Sequence, residues 1–209
     1  MTANTIQQAG EYTVDEMTIL TSSGVVYDLR QMVQYIEIFE DVNRPVMTGN
    51  IVIMDIDNMI ENAPIIGQEF MSLKIRTPSF GDEDGIIDFS DNVFSIFKIM
   101  SKDDASMNAQ IYTLSFCSPE LLRSNRTKVS KSYTGSIDEI VEKVLRDERF
   151  INTRKKLIFE KTSGIRKIIS PNLRPFAFID QLKEEAMSEK YGSPQFLFYE
   201  NAEGIHFRS

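Results

Sequence analysis

The sequence of 209 residues contains one cysteine, one histidine and no tryptophan, and each scarcity limits the chemistry available. With Cys117 alone, the chain can form neither an internal disulfide nor a zinc site built from several cysteines. No run of apolar residues approaches the roughly 20 needed to cross a bilayer as a helix. Residues 1–16 lack the basic start and apolar centre of a signal peptide, so we expect a protein made in a cytoplasm, without stable membrane insertion.

Sequence patterns for nucleophilic and phosphate chemistry are equally scarce. His206 is the one conceivable partner for a Cys117 nucleophile, but such a dyad also needs an orienting group and a cleft. We interpret His206 as a histidine of a terminal strand. The 10 glycines form neither GxGxxG nor GxxxxGK[ST], so no phosphate-binding loop is predicted.

Two acidic pairs are the remaining candidates for catalysis. Asp55 with Asp57, and Asp103 with Asp104, provide the two carboxylates that glycoside cleavage needs. Acidic residues at turns are much commoner than such sites. We therefore predict no enzymatic activity, no cofactor and no metal site, and a hydrolase remains the least favoured alternative.

Charge is unevenly distributed along the chain. Residues 1–117 hold 6 Lys and Arg against 18 Asp and Glu, a net charge of −12, whereas residues 118–209 hold 17 against 13, a net charge of +4. Three of the acids, Asp82, Glu83 and Asp84, lie between Pro78 and Gly85. Because their spacing does not match a calcium loop, we predict a solvated turn.

Residues 1–117 show the period-two alternation of strands. Met71, Leu73 and Ile75 alternate with polar residues, whereas the segments 33–41, 45–56 and 92–100 carry apolar residues on both faces. Strands that are apolar on both faces need partners on both sides. This pattern predicts an antiparallel β-barrel-like domain whose outer surface contacts another subunit or domain.

Residues 118–195 change to a mixed pattern. Ser118 and Pro119 begin a short helix, and Ser136 with Glu139 form a capping box before a second helix. The segment 155–171 predicts two strands around Ser163 and Gly164, and Pro175 begins a third helix. Residues 196–209 predict a hairpin that turns at 201–204. The whole is mixed β and α+β: a β-barrel-like domain followed by a small α+β domain.

A basic cluster, Arg123, Arg126, Lys128 and Lys131, precedes the second helix. Nucleic-acid sites usually interleave such charges with aromatic residues for stacking, and only Tyr133 is close by. The strongly acidic first half also opposes binding to phosphates. We predict that the cluster is a subunit interface that docks onto an acidic neighbour; specific nucleic-acid binding is the less favoured alternative.

In combination, several of these segments resemble a known family. YIEIFEDVNRPVMTGNIVIMD and IGQEFMSLKIRTP, then SPELLRSNRTKVSKSYTGSIDEIVEKVL, KTSGIRKIISPNLRPFAFIDQLKEEA and FLFYENAEGIHFRS, are together similar to the baseplate central hub protein of contractile-tailed, myophage-type bacteriophages. Related hub domains occur in type VI secretion spikes. The similarity spans nearly the whole chain, and each motif taken singly is weakly specific.

The resemblance implies a structural virion protein of the viral tail baseplate, assembled in the host cytoplasm. Such hub subunits form a trimeric ring that connects the tail tube to the central spike, so the implied partners are further copies of the chain, the tail tube protein, the spike protein and the wedge proteins. A baseplate wedge or tube-terminator protein is the alternative within the same class.

The domain boundaries implied are 1–117 for a tail-tube domain, 118–195 for the α+β domain and 196–209 for the terminal hairpin. In the family the segment similar to 198–209 lies midway and precedes a second tube domain. Here the chain stops at Ser209, so the resemblance implies either a fragment, with the hairpin as the start of a second tube domain that is absent here, or a shortened protein in which one tube domain per subunit makes the ring. The expected oligomer is a homotrimer or another ring.

Overall fold

The computed structural model describes residues 11–55, 65–77, 85–106 and 109–209. The predicted acidic turn at Asp82, Glu83 and Asp84 lies outside these residues, as does Asp57. The described chain divides into two compact units. Unit 1 comprises residues 1–38 and 48–118, and unit 2 comprises residues 39–47 and 119–209.

The described residues form thirteen strands and three helices. The strands are β1 (Thr13–Leu20), β2 (Val26–Asp28), β3 (Val33–Phe39), β4 (Thr48–Asp55), β5 (Phe70–Arg76), β6 (Ile86–Asp88), β7 (Phe94–Ser106), β8 (Ala109–Cys117), β9 (Ser132–Gly135), β10 (Leu157–Phe159), β11 (Arg166–Ile169), β12 (Leu197–Asn201) and β13 (Gly204–Arg208). The helices are α1 (Pro119–Arg126), α2 (Ile137–Arg146) and α3 (Pro175–Glu185).

Unit 1 is built on one sheet with the strand order β2-β1-β5-β7-β8-β4-β3, and β6 pairs with β5. β1, β5, β7, β8 and β4 pair antiparallel along this path. Alternation along β4 buries Ile51 and Ile53 while Val52 and Met54 are half-buried on the other face. The mainly antiparallel β character predicted for this part of the chain is confirmed.

The predicted barrel is not seen. A closed barrel requires its first and last strands to pair with each other, and across the described residues the pairing runs from β2 to β3 without joining them. The sheet is therefore open. Gly49 allows a close approach within it, because a Cβ atom there would lie 2.2 Å from the Glu37 carbonyl oxygen and 2.3 Å from Phe116 Cζ.

Unit 2 has the order of helices and strands that its periodicity predicts. The buried face of α2 is formed by apolar residues at helical spacing: Ile137, Ile140, Val141, Val144 and Leu145. β13 lies between β10, which is parallel to it, and β12, which is antiparallel. The β12–β13 hairpin turns at Asn201 and Gly204 as predicted, and its Phe198, Ile205 and Phe207 join the core of this unit.

Two local expectations for unit 2 need correction or refinement. The prediction of a capping box formed by Ser136 and Glu139 is wrong, because the Ser136 side chain makes no capping hydrogen bond. The neighbouring Asp138 carboxylate instead accepts hydrogen bonds from the Thr162 amide and hydroxyl, at 3.1 and 2.6 Å. The two strands predicted around Ser163 and Gly164 exist, but each pairs elsewhere: β10 with β13, and β11 with β9.

A buried charge cluster, the Lys155 triad, joins distant parts of unit 2. Lys155 Nζ lies 2.9 Å from Glu120 Oε2 of α1 and 2.5 Å from Glu200 Oε1 of β12. Glu120 also accepts a hydrogen bond from the Thr153 hydroxyl, and Glu200 accepts one from the Met47 amide. These contacts satisfy the buried charges and tie residues 39–47 to the rest of the unit.

Candidate interaction surfaces

The first residue of the predicted basic cluster has a structural contact. Arg123, in the last turn of α1, donates through Nη1 to the carbonyl oxygens of Ile151 and Asn152, at 2.9 and 3.0 Å. Asn152 has a φ of 48°, a left-handed backbone conformation that few residues other than glycine adopt. The hydrogen bonds from the guanidinium hold the turn that contains it. Arg123 is exposed, but part of its hydrogen-bonding capacity serves the fold.

The other three members of the cluster are also exposed, and they differ in their surroundings. Arg126 ends α1 and Lys128 lies in the segment between α1 and β9. Lys131 Nζ is 3.6 Å from the Asp147 carboxylate and 5.4 Å from the centre of the Tyr133 ring. The structure therefore brings Lys131, but neither Arg126 nor Lys128, to the edge of a surface pocket.

That pocket, which we call the β9 pocket, has a volume of about 470 Å³. It is lined by residues of β9, its flanks and the C-terminal half of α2: Lys131, Ser132, Tyr133, Thr134, Lys143, Arg146 and Asp147. Three of these side chains are cationic and one is anionic. An open pocket with this excess of positive charge favours an anionic group.

The charges around the β9 pocket are held in place by local contacts. Asp147 accepts a bidentate pair of hydrogen bonds from Arg149, which, together with the Lys131 charge, holds the pKa of that carboxyl well below its ordinary value. Arg146 donates through Nη1 to the Thr153 carbonyl oxygen at 2.7 Å, and its guanidinium carries further N–H donors. Lys143 is 3.9 Å from Glu139 on an exposed helix face.

Tyr133 is the unusual residue of the β9 pocket. The residue is only 4% exposed, and its hydroxyl is buried without a hydrogen-bond partner in the described part of the chain. Burial raises the pKa of this phenol, and the nearby Asp147 charge adds to the effect. A buried hydroxyl without a partner has a free-energy cost, which a bound acceptor would remove.

β9 also presents a free edge. The Val129 amide donates to the Leu173 carbonyl, and the Ser170 amide donates to the Lys131 carbonyl, so alternate residues of this extended segment point toward β11. By the alternation of an antiparallel pair, the backbone groups of Ser132 and Thr134 point away from β11. Among the described residues no strand pairs on that side of β9.

Unit 1 presents a second kind of surface, which is apolar. As far as the structure describes unit 1, its sheet ends in β2 and β3, where Val26 is 60% exposed and Tyr35 is 52% exposed. Further large apolar side chains are exposed on other strands of the same sheet, β5, β6 and β7: Phe70, Ile87, Phe97, Ile99 and Met100. Edge strands and exposed apolar groups of this kind are typical of surfaces that pair with another chain.

The two residues considered for a nucleophilic dyad, Cys117 and His206, each lie in a strand. Cys117 is buried at the end of β8. His206 stacks on Tyr199, and its Nε2 lies 2.8 Å from Asn201 Oδ1, as expected for a histidine of a terminal strand. Burial lowers the pKa of the imidazole.

Of the first acidic pair, Asp55 is buried at the end of β4 and Asp57 lies outside the described residues. Asp103 and Asp104 are both exposed and adjacent on β7, where successive side chains point to opposite faces. Nowhere in residues 11–55, 65–77, 85–106 and 109–209 do three or more His, Cys, Asp or Glu side chains form a group that could hold a metal. In the same part of the chain, none of the helices has the length and apolar character to cross a membrane.

Sequence reasoning missed Lys143, Arg146 and the role of Tyr133. The signal was present in part, because Lys143 and Arg146 are spaced i, i+3 on the polar face of α2. Nothing local indicated that Lys143 and Arg146 line a pocket together with residues of β9, because that depends on tertiary contacts between the helix and the strand.

Solved structures identify the fold. The 43 kDa tail protein of prophage MuSo2 from Shewanella oneidensis superposes with a TM-score of 0.57 over 93% of this chain, at 9% identity. A tail protein from Neisseria meningitidis MC58 superposes with a TM-score of 0.56 over 94% of the chain, at 11% identity. The chain has the fold of a phage tail protein.

The tail-protein resemblance drawn from the sequence is thus confirmed at the level of fold. The chain spans about half the length of these tail proteins, 54% of the first and 51% of the second. A component of the E. coli type VI secretion system, described as similar to the T4 tail proteins gp27 and gp5, matches with a TM-score of 0.47 and 14% identity over 96% of this chain and 47% of its own. The chain matches no protein-family model and no curated protein.

Proposed function

We propose that this protein is a non-enzymatic structural subunit of a phage tail baseplate, a hub protein that forms a ring between the tail tube and the central spike. The observation that supports it most is the tail-protein fold over 93% and 94% of the chain. Its place is the virion, and its partners are further copies of itself, the tail tube protein, the spike protein and the wedge proteins.

In this proposal unit 1 is the tube domain and its sheet provides ring contacts. The exposed edges β2 and β3, with Val26 and Tyr35, suit strand addition between neighbouring subunits. Assembly into a tail would remove these apolar side chains from water, and this burial stabilises the contact by about 25 cal/mol per Å² of apolar surface. The terminal hairpin at 196–209 belongs to the α+β part.

The basic cluster, Arg123, Arg126, Lys128 and Lys131, is proposed as a subunit interface that meets acidic surfaces of a neighbour. Charge pairs across an interface determine orientation and the rate of association more than affinity. The net charge of −12 on residues 1–117 against +4 on residues 118–209 provides complementary surfaces within one kind of chain.

The oligomer is tested by native mass spectrometry of the purified chain, alone and mixed with tail tube and spike proteins. A ring of defined number that captures both partners is expected. A chain that stays monomeric in the presence of both would overturn the hub assignment, and capture by wedge proteins alone would indicate a different place in the baseplate.

The interface is tested with Arg126→Glu and Lys128→Glu combined, because both residues are exposed. Loss of the ring with an unchanged circular dichroism spectrum is expected. Arg123→Glu is less informative, since it also removes the hydrogen bonds to Ile151 and Asn152. The control with the same change of charge is Arg154→Glu with Lys161→Glu; equal loss of the ring in both double variants would mean that net charge, and not the cluster, governs assembly.

A further inference from the structure

The β9 pocket and the free edge of β9 lie at the same place. Ser132 and Thr134 line the pocket, and they are also the residues whose backbone groups point away from β11. An exposed edge of this kind accepts an extended chain, because backbone groups of an added strand complete the hydrogen bonds of the ladder.

The side chains around this edge determine what sort of strand fits. Lys131, Lys143 and Arg146 line the pocket with a single opposing carboxylate, Asp147, which is already held by Arg149. A carboxylate entering the pocket would meet several cationic N–H donors, and such charge-assisted hydrogen bonds are stronger than neutral ones.

The Tyr133 hydroxyl is a second, independent sign of a ligand. It is a buried donor without a partner within the described residues, and its residue lines the pocket. A carboxylate oxygen of an added strand would supply the missing acceptor. We propose that β9 and the β9 pocket form a docking site for an extended acidic segment of a partner protein, which adds as a third strand and places a carboxylate among Lys131, Lys143, Arg146 and the Tyr133 hydroxyl.

A free phosphate would use the same cations but not the backbone edge, and for this reason a peptide is the occupant that uses every feature of the site. All residues of β9 and the β9 pocket belong to unit 2 of a single chain, so the proposal does not depend on formation of a ring. A failure of the ring experiment would leave it standing.

The test measures fluorescence anisotropy of a labelled nine-residue peptide in which Glu alternates with Thr, added to the full chain at low salt. Two matched peptides separate the contributions: one replaces every Glu with Gln, and one carries N-methyl groups on alternate residues, which removes backbone donors. We expect each change to weaken binding at least about tenfold, because the Gln peptide loses charge-assisted contacts and the N-methylated peptide loses several backbone hydrogen bonds. Inorganic phosphate at equal concentration should compete poorly.

Variants locate the site. Lys143→Glu, on an exposed helix face, should weaken the Glu peptide about tenfold or more, whereas Lys161→Glu, which carries the same change of charge outside the pocket, should leave its affinity unchanged. Tyr133→Phe should weaken binding severalfold while the thermal midpoint stays the same or rises, since the variant removes a buried group without a partner.

Three results would overturn the proposal: equal affinity for the Glu and Gln peptides, equal effects of Lys143→Glu and Lys161→Glu, or no binding of the Glu peptide up to about 1 mM, where the binding free energy is near −4 kcal/mol. Equal binding of the N-methylated peptide would retain the anion site and refute the added strand.

Discussion

Replacing Lys155 with methionine should destabilise unit 2 far more than the loss of any exposed charge. The ammonium lies 2.9 Å from Glu120 and 2.5 Å from Glu200, and the three side chains are only 5%, 5% and 1% exposed. Methionine has a similar length and fills the same space, so the change removes the charge and leaves two carboxylates buried together.

The magnitude follows from that geometry. At separations near 3 Å and an effective dielectric constant of about 20, each attraction in the Lys155 triad is about 5 kcal/mol, but desolvation of the charges offsets most of it. Breaking a buried pair while its partner remains costs about 3–5 kcal/mol. We therefore expect Lys155→Met to lower the free energy of unfolding by about 3–5 kcal/mol, a large share of a typical total of about 5–15 kcal/mol.

The assay is urea denaturation followed by far-ultraviolet circular dichroism, because the chain has no tryptophan. Lys183→Met is the control: its ion pair with Asp180 is also 2.9 Å long, but the carboxylate is 51% exposed, so the loss should be below about 1 kcal/mol. Adding Glu120→Gln and Glu200→Gln to Lys155→Met should recover more than half of the stability, since amide oxygens can still accept from Thr153 and Met47. A loss from Lys155→Met as small as that from Lys183→Met would refute the reasoning.

The Lys155 triad also predicts a pH dependence. Burial alone would raise the pKa of Glu120, but the Lys155 charge and hydrogen bonds from Thr153 and Lys155 outweigh it, and the pKa lies below its ordinary value of 4.5. A carboxylate with a depressed pKa contributes stability that is present above pH 4.5 and is lost as the pH falls toward the folded-state pKa. In Lys155→Met the sign should reverse, with stability greater at pH 4 than at pH 7.

Three further predictions concern single residues. Gly49→Ala should lower the free energy of unfolding, measured by urea denaturation, by about 1–3 kcal/mol, because the new Cβ atom would lie 2.2 Å from the Glu37 carbonyl oxygen. A smaller decrease would mean that the strands move apart easily at this position. His206, the single histidine, should titrate by proton NMR below 6.5, so its contribution to stability is present above that pH and is lost below it; a midpoint above 6.5 would contradict its burial. Asp88 should titrate by carboxyl NMR at about 2, chiefly because of the hydrogen bond from Lys74, and Lys74→Met should move the midpoint back toward 3.8.

Several elements could be predicted from the sequence because their signals are local. Pro119 and Pro175 begin helices, since a proline at the first helical position loses no hydrogen bond. The apolar spacing from Ile137 to Leu145 predicts α2, and the turn at 201–204 predicts the β12–β13 hairpin. In each case the residues that decide the conformation lie within a few positions of one another.

The subunit interface predicted at Arg123, Arg126, Lys128 and Lys131 stays a prediction, because an interface depends on a second chain. Lys131 was recognised from a run of basic residues, and it does line the β9 pocket. Within the run, Arg123 also binds the carbonyl groups of a turn, and α1 ends at Arg126. The cations that complete the pocket, Lys143 and Arg146, come from a different element.

The positions of the three helices, the β character of residues 1–117 and the uneven charge follow from the amino-acid sequence alone. The strand order, the parallel pairing of β10 with β13, and the position of residues 39–47 in unit 2 depend on tertiary packing. That packing alone brought Glu120, Lys155 and Glu200 together, although 35 and 45 residues separate Lys155 from its two partners. Such contacts depend on which surfaces bury one another, and no periodicity along the chain encodes that choice.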